Sequence, residues 1–315
     1  AYSYWGNKCF NYFDGMWAVG IYDFENKKFI ISRDYVGQKP LFYHHDNNKF
    51  VFSSQINGIF EYNNKFKIVR NNYEEYLRFG YFHAPNTLYK NIQQVCPGQI
   101  IEFKNNKILT KYYWKLENKS NYNLFFKKEK IININNSFNK IIKNFLTADK
   151  NVALSLSDGN DSNLLKYLIL KHKNKINSFT IGFKDKTYDE AKYIQKDKFN
   201  INIKKIVLEK DLIKTFHKFK KKIFFPFGDS SVLPTFELFN LVKKKTNVIV
   251  GGDGGDEIFF GYLSFKAFYF ANIIKKILPN FLLRLIKLPF SNIKITNDYM
   301  NMKKKKLNIF LNIWI

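Results

Sequence analysis

One stretch decides the fold of the second half of the chain: Leu154–Ser162, which reads LSLSDGNDS. An apolar strand pattern precedes it and a helical pattern follows it, so the turn joins a buried strand to a helix. Unpaired N–H groups at the start of such a helix bind phosphate, the hydroxyls of Ser157 and Ser162 add donors, and Asp161 offers Mg²⁺ a hard oxygen. No Gly-Lys-Ser/Thr follows, so this is not a Walker A loop. A plain strand-to-helix turn capped by Ser and Asp remains the alternative.

A second glycine-rich turn follows another apolar strand at Val248–Glu257, VIVGGDGGDE, and carries three acids within five residues. Glycines let the backbone approach a ligand closely, and clustered carboxylates repel one another unless a cation lies among them. In a parallel sheet, Asp161 and Asp256 would both follow carboxyl ends of strands and could hold one Mg²⁺ bound to ATP phosphates. A solvated acidic loop is the alternative.

The patterns around these turns predict two domains. From residue 131 to 315 strands alternate with helices, which predicts a parallel sheet with helices on both faces. Residues 1–116 carry short apolar or alternating runs separated by turn formers, which predicts a small sheet domain. Its end, Gln99–Phe103 and Ile108–Trp114, has the pattern of a hairpin. The polar, Lys-rich segment 117–130 is predicted to be a linker.

The chain has 315 residues and a formal net charge of +26, from 52 Lys and Arg against 26 Asp and Glu. Such a charge suits a protein that binds a polyanion. The Lys residues are spread along the chain, however, and abundant Lys, Asn, Ile, Phe and Tyr are also what A/T-rich codons encode. We therefore favour compositional drift and expect no nucleic-acid partner.

The spacing of the cysteines and the length of the apolar runs predict the cellular location of the protein. Cys9 and Cys96 are far apart, which gives neither a disulfide framework nor zinc spacing and favours a reducing compartment. No uncharged apolar run reaches the ~18 residues of a membrane span, and no signal-peptide pattern opens the sequence. We expect a cytoplasmic protein without membrane contact. Because the sequence begins at Ala1 in mid-pattern, we also expect a fragment.

Several ordered motifs resemble one family. Ser157–Ser162 resembles the SGGxDS pyrophosphate loop of the N-type ATP pyrophosphatases, and Val250–Tyr262 resembles the LSGDGxDElFgGY pattern of the glutamine-hydrolysing asparagine synthetases. Pro226–Pro234, PFGDSSVLP, is similar to that family's PxxDsSxxP segment. Other segments fit its adenine-side strand and helix, or the tail of its glutaminase domain: Ser178–Phe183 and Tyr188–Ala191, then Phe13–Asp23, Arg33–Tyr43 and Pro97-Gly98. The resemblance covers about residues 1–265.

The resemblance implies a fold and a reaction. Residues 1–116 would be the carboxy-terminal part of a class II, Ntn-like glutaminase domain, an α+β antiparallel fold. Residues 131–315 would be a truncated α/β ATP-pyrophosphatase domain. In that family, glutamine supplies ammonia, aspartate is adenylated by ATP, and ammonia displaces AMP to give asparagine. The implied partners are these small molecules with Mg²⁺, and a homodimer is left open.

The implied site follows residue by residue. ATP would contact Leu156, Ser157, Gly159, Asp161, Ser162, Ile181 and Gly252. Asp161 and Asp256 would ligate Mg²⁺, so Asp256 counts as catalytic. Asp253 matches an acid that serves as general base in the ammonia step, and Glu257 would support the loop.

The sequence also departs from the family pattern. The first glycine of SGGxDS is Asp158, whose carboxylate would cost electrostatic energy beside a phosphate, and the serine of LSGDG is Gly251. The Glu of the family's SSE segment is Gln55. The family's nucleophile is an amino-terminal Cys, but residue 1 is Ala and we interpret Cys9 as structural. The sequence therefore offers no glutaminase nucleophile, and we expect no glutaminase activity from this fragment alone.

Three alternatives stay open. The chain could act on another carboxylate, such as a sugar acid or a peptide, with the same fold. It could be a tRNA-binding enzyme with a pyrophosphatase loop, although the front-half motifs and the GDGGDE turn argue against this. It could also be a degenerate copy without catalytic activity, a hypothesis that Asp158 in the pyrophosphate loop suggests.

Overall fold

The structure is a computed structural model that describes residues 1–46, 49–63, 65–117, 128–147, 151–183, 189, 191, 194, 201–208 and 212–277. Their contacts divide the chain into two compact units. As far as these ranges are described, the first unit comprises Ala1–Ser137, Phe183–Thr187 and Ile206–Lys245, and the second comprises Phe138–Gly182, Tyr188–Lys205 and Thr246–Ile315. Most of the predicted linker, 117–130, lies outside the described residues, so the predicted domain boundaries stay predictions.

Antiparallel sheets form the strand framework of the first unit. Its strands are β1 (Ala18–Asp23), β2 (Lys28–Arg33), β3 (Phe42–Asp46), β4 (Lys49–Ser53), β5 (Ile92–Gln94), β6 (Gln99–Lys104) and β7 (Lys107–Tyr112). One sheet has the order β1-β2-β6-β7 and the other the order β4-β3-β5. These sheets confirm the antiparallel part of the predicted fold.

The predicted hairpin near the end of this unit forms as expected. Strands β6 and β7 pair from Gln99↔Tyr112 to Lys104↔Lys107. Asn105 and Asn106, between them, have φ values of 49° and 59°. Asn tolerates this left-handed region, which the tight turns of hairpins require.

The centre of the four-stranded sheet in the first unit is buried on both faces. Because side chains alternate along a strand, Ile30 and Ile31 of β2 face opposite ways, and both are fully buried. Ile30 packs with Cys9, Phe10 and Ile100. Ile31 packs with Leu41, Tyr43, Val95 and Ile101. The short amino-terminal helices therefore contribute to one core cluster and residues of β3 to the other.

The helices are α1 (Tyr2–Trp5), a 3-10 helix (Gly6–Tyr12), α2 (Ile56–Phe60), α3 (Arg70–Phe79), α4 (Lys128–Leu146), α5 (Asn160–Leu170), α6 (Leu212–Phe219), α7 (Val232–Val242), α8 (Gly255–Phe259) and α9 (Leu263–Ile277). Within the described ranges, none of them is both long and apolar enough to cross a membrane.

A parallel sheet underlies the second unit. Its strands are β8 (Val152–Ser155), β9 (Ile176–Phe183), β10 (Ile201–Leu208) and β11 (Val248–Val250), in the order β10-β9-β8-β11. Strand β8 is parallel to both of its neighbours, β9 and β11, which confirms the predicted parallel sheet. The core of the unit joins β8 to helices α4 and α5 through Ile142, Leu154, Leu156, Leu168 and Ile169.

Candidate functional site

Parallel pairing brings the two glycine-rich turns to one edge of the sheet. Val250 at the end of β11 lies opposite Leu154 near the end of β8, and Leu154 lies opposite Ser178 of β9. The chain leaves all three strands in the same direction, so the turns after β8 and β11 are neighbours. Ile181 lies further along β9, and its side chain is half-buried.

The turn after β8 is organised around one buried hydroxyl. Leu156 is buried, and its N–H donates to the Phe179 carbonyl at 2.9 Å. Ser162 Oγ accepts from the Ser157 N–H at 3.1 Å and lies 3.0 Å from Ser157 Oγ. Ser157 Oγ in turn accepts from the Gly159 N–H at 3.1 Å. These hydroxyls, predicted as phosphate donors, thus also fix the shape of the turn.

Asn163 belongs to the same network, a role that no sequence motif predicted. Its amide nitrogen donates to the Gly159 carbonyl at 2.9 Å. The signal was its position on the first turn of α5, four residues after Gly159. Gly159 itself is the amino-terminal cap and offers the helix no side-chain acceptor, so the first N–H groups of α5 gain no cap from it.

Glycines let the second turn lie directly on the first. A Cβ atom at Gly252 would lie 2.9 Å from Asp161 Cβ and 3.2 Å from Ser162 N. A Cβ atom at Gly255 would lie 2.6 Å from Asp161 Cγ and 2.7 Å from its Oδ2. Contacts this short would force a shift, so the close approach of the two turns depends on glycine at both positions. Because Asp256 follows Gly255 in sequence, its backbone lies near Asp161.

The departure from the family pattern at Gly251 has a local explanation. A Cβ atom there would lie 3.2 Å from Asp253 Oδ2, which is a tight contact. The missing side chain leaves room for the Asp253 carboxylate. Asp158, the other departure, is exposed at the tip of the turn after β8.

The second turn closes through a short helix. Gly254 has a φ of 92° and caps α8, whose first turn carries Asp256 and Glu257. The Tyr262 hydroxyl donates to Glu257 Oε1 at 2.6 Å. This bond favours the charged carboxylate and the neutral phenol, so it lowers the pKa of Glu257 and raises the pKa of Tyr262 to about 12.

The site carboxylates have no protein cation beside them in the part of the chain that the structure describes. There, Asp158, Asp161, Asp253 and Asp256 form no side-chain ion pair. Nor does the described part hold a group of three or more His, Cys, Asp or Glu side chains that could bind a metal by itself. Two carboxylates are nevertheless the usual protein share of a Mg²⁺ site, because phosphates and water supply the other ligands. Asp161 and Asp256, carried by two turns that are in contact, supply the type and number of protein ligands that such a site needs.

Other predicted residues lie elsewhere. Of Tyr188–Ala191, Asp189 is buried, whereas Tyr188 and Glu190 lie outside the described residues. The segment Pro226–Pro234 belongs to the first unit, where the Ser231 N–H donates to Asp229 Oδ1 at 2.7 Å. Gln55 precedes α2 and is exposed.

Cys9 is fully buried in the first unit, and burial raises the pKa of its thiol. The thiolate is the nucleophilic form of cysteine, so this environment makes the side chain inert. The environment supports the interpretation of Cys9 as a structural residue.

Comparison with known proteins gives two family matches along the chain. Residues 1–114 match a glutamine amidotransferase domain, and residues 133–305 match asparagine synthase. A putative glutamine-hydrolysing asparagine synthetase of Methanocaldococcus jannaschii is 33% identical over 304 residues, which cover 89% of this chain and 56% of that protein. Glutamine-hydrolysing asparagine synthetase 3 of Bacillus subtilis is 25% identical over 283 residues, 83% of this chain and 46% of that protein.

The chain thus spans about half the length of these relatives. Among solved structures, an allosteric regulatory enzyme of purine biosynthesis aligns with 54% of this chain and 33% of its own, at 13% identity. Its TM-score of 0.16 is too low to support any conclusion about the fold.

Proposed function

The chain belongs to the glutamine-hydrolysing asparagine synthetase family, and from that premise we propose that it binds ATP with Mg²⁺ and activates the side-chain carboxylate of aspartate for amidation. The family supports a glutamine-dependent ligase. The nucleotide, the metal and the acceptor carboxylate are our proposal. The observation that carries it is the contact between the two turns, in which Asp161 lies against Gly255, next to Asp256.

The proposed roles of the first turn are binding and orientation. The first N–H groups of α5 would receive the pyrophosphate part of ATP, with Gly159 allowing close approach. Ser157 and Ser162 would hold this turn in shape, as their hydrogen bonds already do. Leu156 and Ile181 would contact the nucleoside. Such preorganisation matters because phosphorus chemistry depends chiefly on positioning and on neutralising charge.

The proposed roles of the second turn concern charge and proton transfer. Asp161 and Asp256 would hold Mg²⁺, which when bound neutralises phosphate charge, and Gly252 would border the nucleotide. The aspartate carboxylate attacks the α-phosphorus of ATP, and pyrophosphate leaves. The ammonia nitrogen then attacks the acyl carbon and AMP leaves. Asp253, exposed at the tip of the turn, would accept the proton that the nitrogen loses.

Pyrophosphate release from ATP in the presence of ammonia tests the proposed acceptor. We expect release to depend on aspartate, and not on a sugar acid or on a peptide carboxylate offered in the same panel. A preference for another carboxylate would contradict the asparagine assignment while retaining the ligase fold. No release with any carboxylate would contradict catalysis by this chain.

The exposed carboxylate of Asp158 motivates one variant in the same assay, Asp158→Gly, which restores the family's glycine. A negative charge near the phosphate site weakens anion binding, so this variant should bind ATP more tightly than wild type. If only the variant turns over, the native chain is a degenerate copy of the family.

A further inference from the structure

The residues after α8 fold back onto the turn that carries Asp256. Phe260 adopts a left-handed conformation, with a φ of 57°, and this ends the helix. The next N–H, that of Gly261, donates to the Asp256 carbonyl at 3.0 Å. The left-handed residue Phe260 thus turns the chain so that Gly261 is hydrogen-bonded to the backbone of Asp256.

Gly261 also leaves room for the Asp256 carboxylate. A Cβ atom at Gly261 would lie 2.9 Å from Asp256 Cγ and closer still to its Oδ1. No rotation of a side-chain methyl group relieves such a contact, because Cβ is fixed by the backbone. The direction of the Asp256 carboxylate therefore depends on the absence of a side chain at residue 261.

Tyr262 fixes the neighbouring acid. Its hydroxyl donates to Glu257 Oε1 at 2.6 Å and so links the residue after α8 to the first turn of that helix. Its ring stacks on Phe265 of α9 at a centroid distance of 5.9 Å, and the Phe265 N–H donates to the Tyr262 carbonyl at 3.0 Å. Both ends of Tyr262 are therefore held, one by α8 and one by α9.

We propose that Gly261 and Tyr262 are positioning residues for the magnesium carboxylate Asp256. Gly261 sets the direction of that carboxylate, and the bond from Tyr262 keeps Glu257 bound outside the metal site. Without the bond, a second carboxylate adjacent to Asp256 is free to compete for Mg²⁺ or to repel the phosphates. This inference rests on the proposed binding of ATP with Mg²⁺.

The test is a calorimetric titration of Mg²⁺ into this chain in the presence of a fixed concentration of ATP. We expect Gly261→Ala to raise the apparent Mg²⁺ dissociation constant about tenfold, as loss of an outer-shell contact to a ligand does. We expect Tyr262→Phe to raise it about threefold, since one hydrogen bond to an exposed charged group is lost. ATP affinity at saturating Mg²⁺ should stay near the wild-type value, whereas general damage to the fold would lower it at every Mg²⁺ concentration.

Three further variants separate positioning from other effects. Glu257→Gln keeps an oxygen that accepts from Tyr262, so it should titrate like wild type. Tyr269→Phe, an exposed tyrosine on α9, is the matched control and should also behave like wild type. In an Asp256→Ala background, Gly261→Ala should have no further effect, because its target is gone.

Equal Mg²⁺ constants for wild type, Gly261→Ala and Tyr262→Phe would overturn the inference while the proposed function stands. Additive effects of Gly261→Ala and Asp256→Ala would overturn it as well. If wild type binds no ATP at any Mg²⁺ concentration, the proposed function itself fails and the inference fails with it.

Discussion

Two aspartate-bearing turns, one in each unit, use their carboxylates in opposite ways. After β2, Asp34 is fully buried, and its two oxygens accept the N–H groups of Gln38 at 2.8 Å and Lys39 at 3.0 Å. After β8, Asp161 is half-buried, and no side-chain hydrogen bond or ion pair engages it among the described residues. The first carboxylate is committed to the backbone of its own loop. The second has oxygens that no side chain or backbone N–H among the described residues engages, which suits the binding of a ligand.

The neighbours of the two aspartates extend this difference. Arg33, beside Asp34, donates to the carbonyls of Lys39, Val95 and Gly37 and so ties the loop to the sheet domain. Asp161 instead lies against the bare α-carbon of Gly255. A turn whose polar groups are satisfied internally contributes to stability, and one that leaves carboxylates open is suited to binding.

Substitution of the aspartate should reduce the stability of the protein strongly in the turn after β2 and only slightly in the turn after β8. Asp34→Ala removes a fully buried carboxylate that accepts two N–H groups of its loop, so we expect a loss of about 3 kcal/mol in the free energy of unfolding. Asp161→Ala should change it by less than about 0.5 kcal/mol, because no side-chain hydrogen bond or ion pair among the described residues is lost. Urea denaturation of both variants measures this. Equal losses would contradict the distinction between the two turns.

The cysteines probe the packing of the first unit. Cys9 is fully buried and burial raises the pKa of its thiol, whereas Cys96 is half-buried. Alkylation of native Cys9 should therefore be at least about 100-fold slower than that of Cys96, since it requires local opening. Mass spectrometry of iodoacetamide-treated protein gives both rates. Similar rates would show that the core around the amino-terminal helices is open.

Alanine at two glycines should separate packing from binding. Gly255→Ala pushes a methyl group into the Asp161 carboxylate, so we expect ATP affinity to fall about tenfold with little change in stability. Gly20→Ala is the matched control in the first unit, where a Cβ atom would lie 2.5 Å from Phe52 Cε2. That variant should lose stability and keep ATP affinity. Loss of stability without loss of ATP affinity in Gly255→Ala, and the opposite in Gly20→Ala, would contradict the assignment of binding to the second unit and packing to the first.

The smallest expected effect concerns pH. Burial alone would raise the pKa of Glu75, but hydrogen bonds from the His83 N–H and ring and from Asn86 outweigh it and lower the pKa. A lowered pKa in the folded state means that this stabilisation is present above the ordinary value of 4.5 and is lost as the pH falls below it.

Thermal unfolding from pH 7 to pH 3 tests this dependence. Wild type should lose up to about 1 kcal/mol more than Glu75→Gln, a modest value because His83 is half exposed. Parallel curves for the two proteins would contradict the role of Glu75.

Sequence patterns predicted the strands and hairpins well where the signal is local. An apolar strand pattern predicted a strand before the turn at Ser157–Ser162, and β8 runs from Val152 to Ser155. The predicted hairpin within Gln99–Trp114 forms with Asn at both turn positions. The short strand β5 and the 3-10 helix Gly6–Tyr12 were missed, because three or seven residues without a clear period carry little signal. The helix expected from Tyr188–Ala191 lies largely outside the described residues.

In the candidate site, too, sequence patterns predicted the elements but not the contacts between their residues. The positions of Asp161 and Asp256 after apolar strands predicted that both would follow carboxyl ends of strands in a parallel sheet. They did not predict that Gly255 would have to be bare for Asp161 to fit, nor that Gly261 would do the same for Asp256. Such contacts join residues far apart in sequence, or depend on a left-handed residue such as Phe260, and no periodic pattern encodes them.

Calorimetric titration of ATP into this chain, with and without Mg²⁺, shows whether the two turns bind the nucleotide through a metal ion. Asp161→Ala removes the proposed metal ligand, and Glu25→Ala removes an exposed carboxylate from the first unit as a control. We predict that wild type and Glu25→Ala bind ATP only when Mg²⁺ is present and that Asp161→Ala does not bind. Equal binding by Asp161→Ala and wild type, or binding that does not depend on Mg²⁺, would contradict the account.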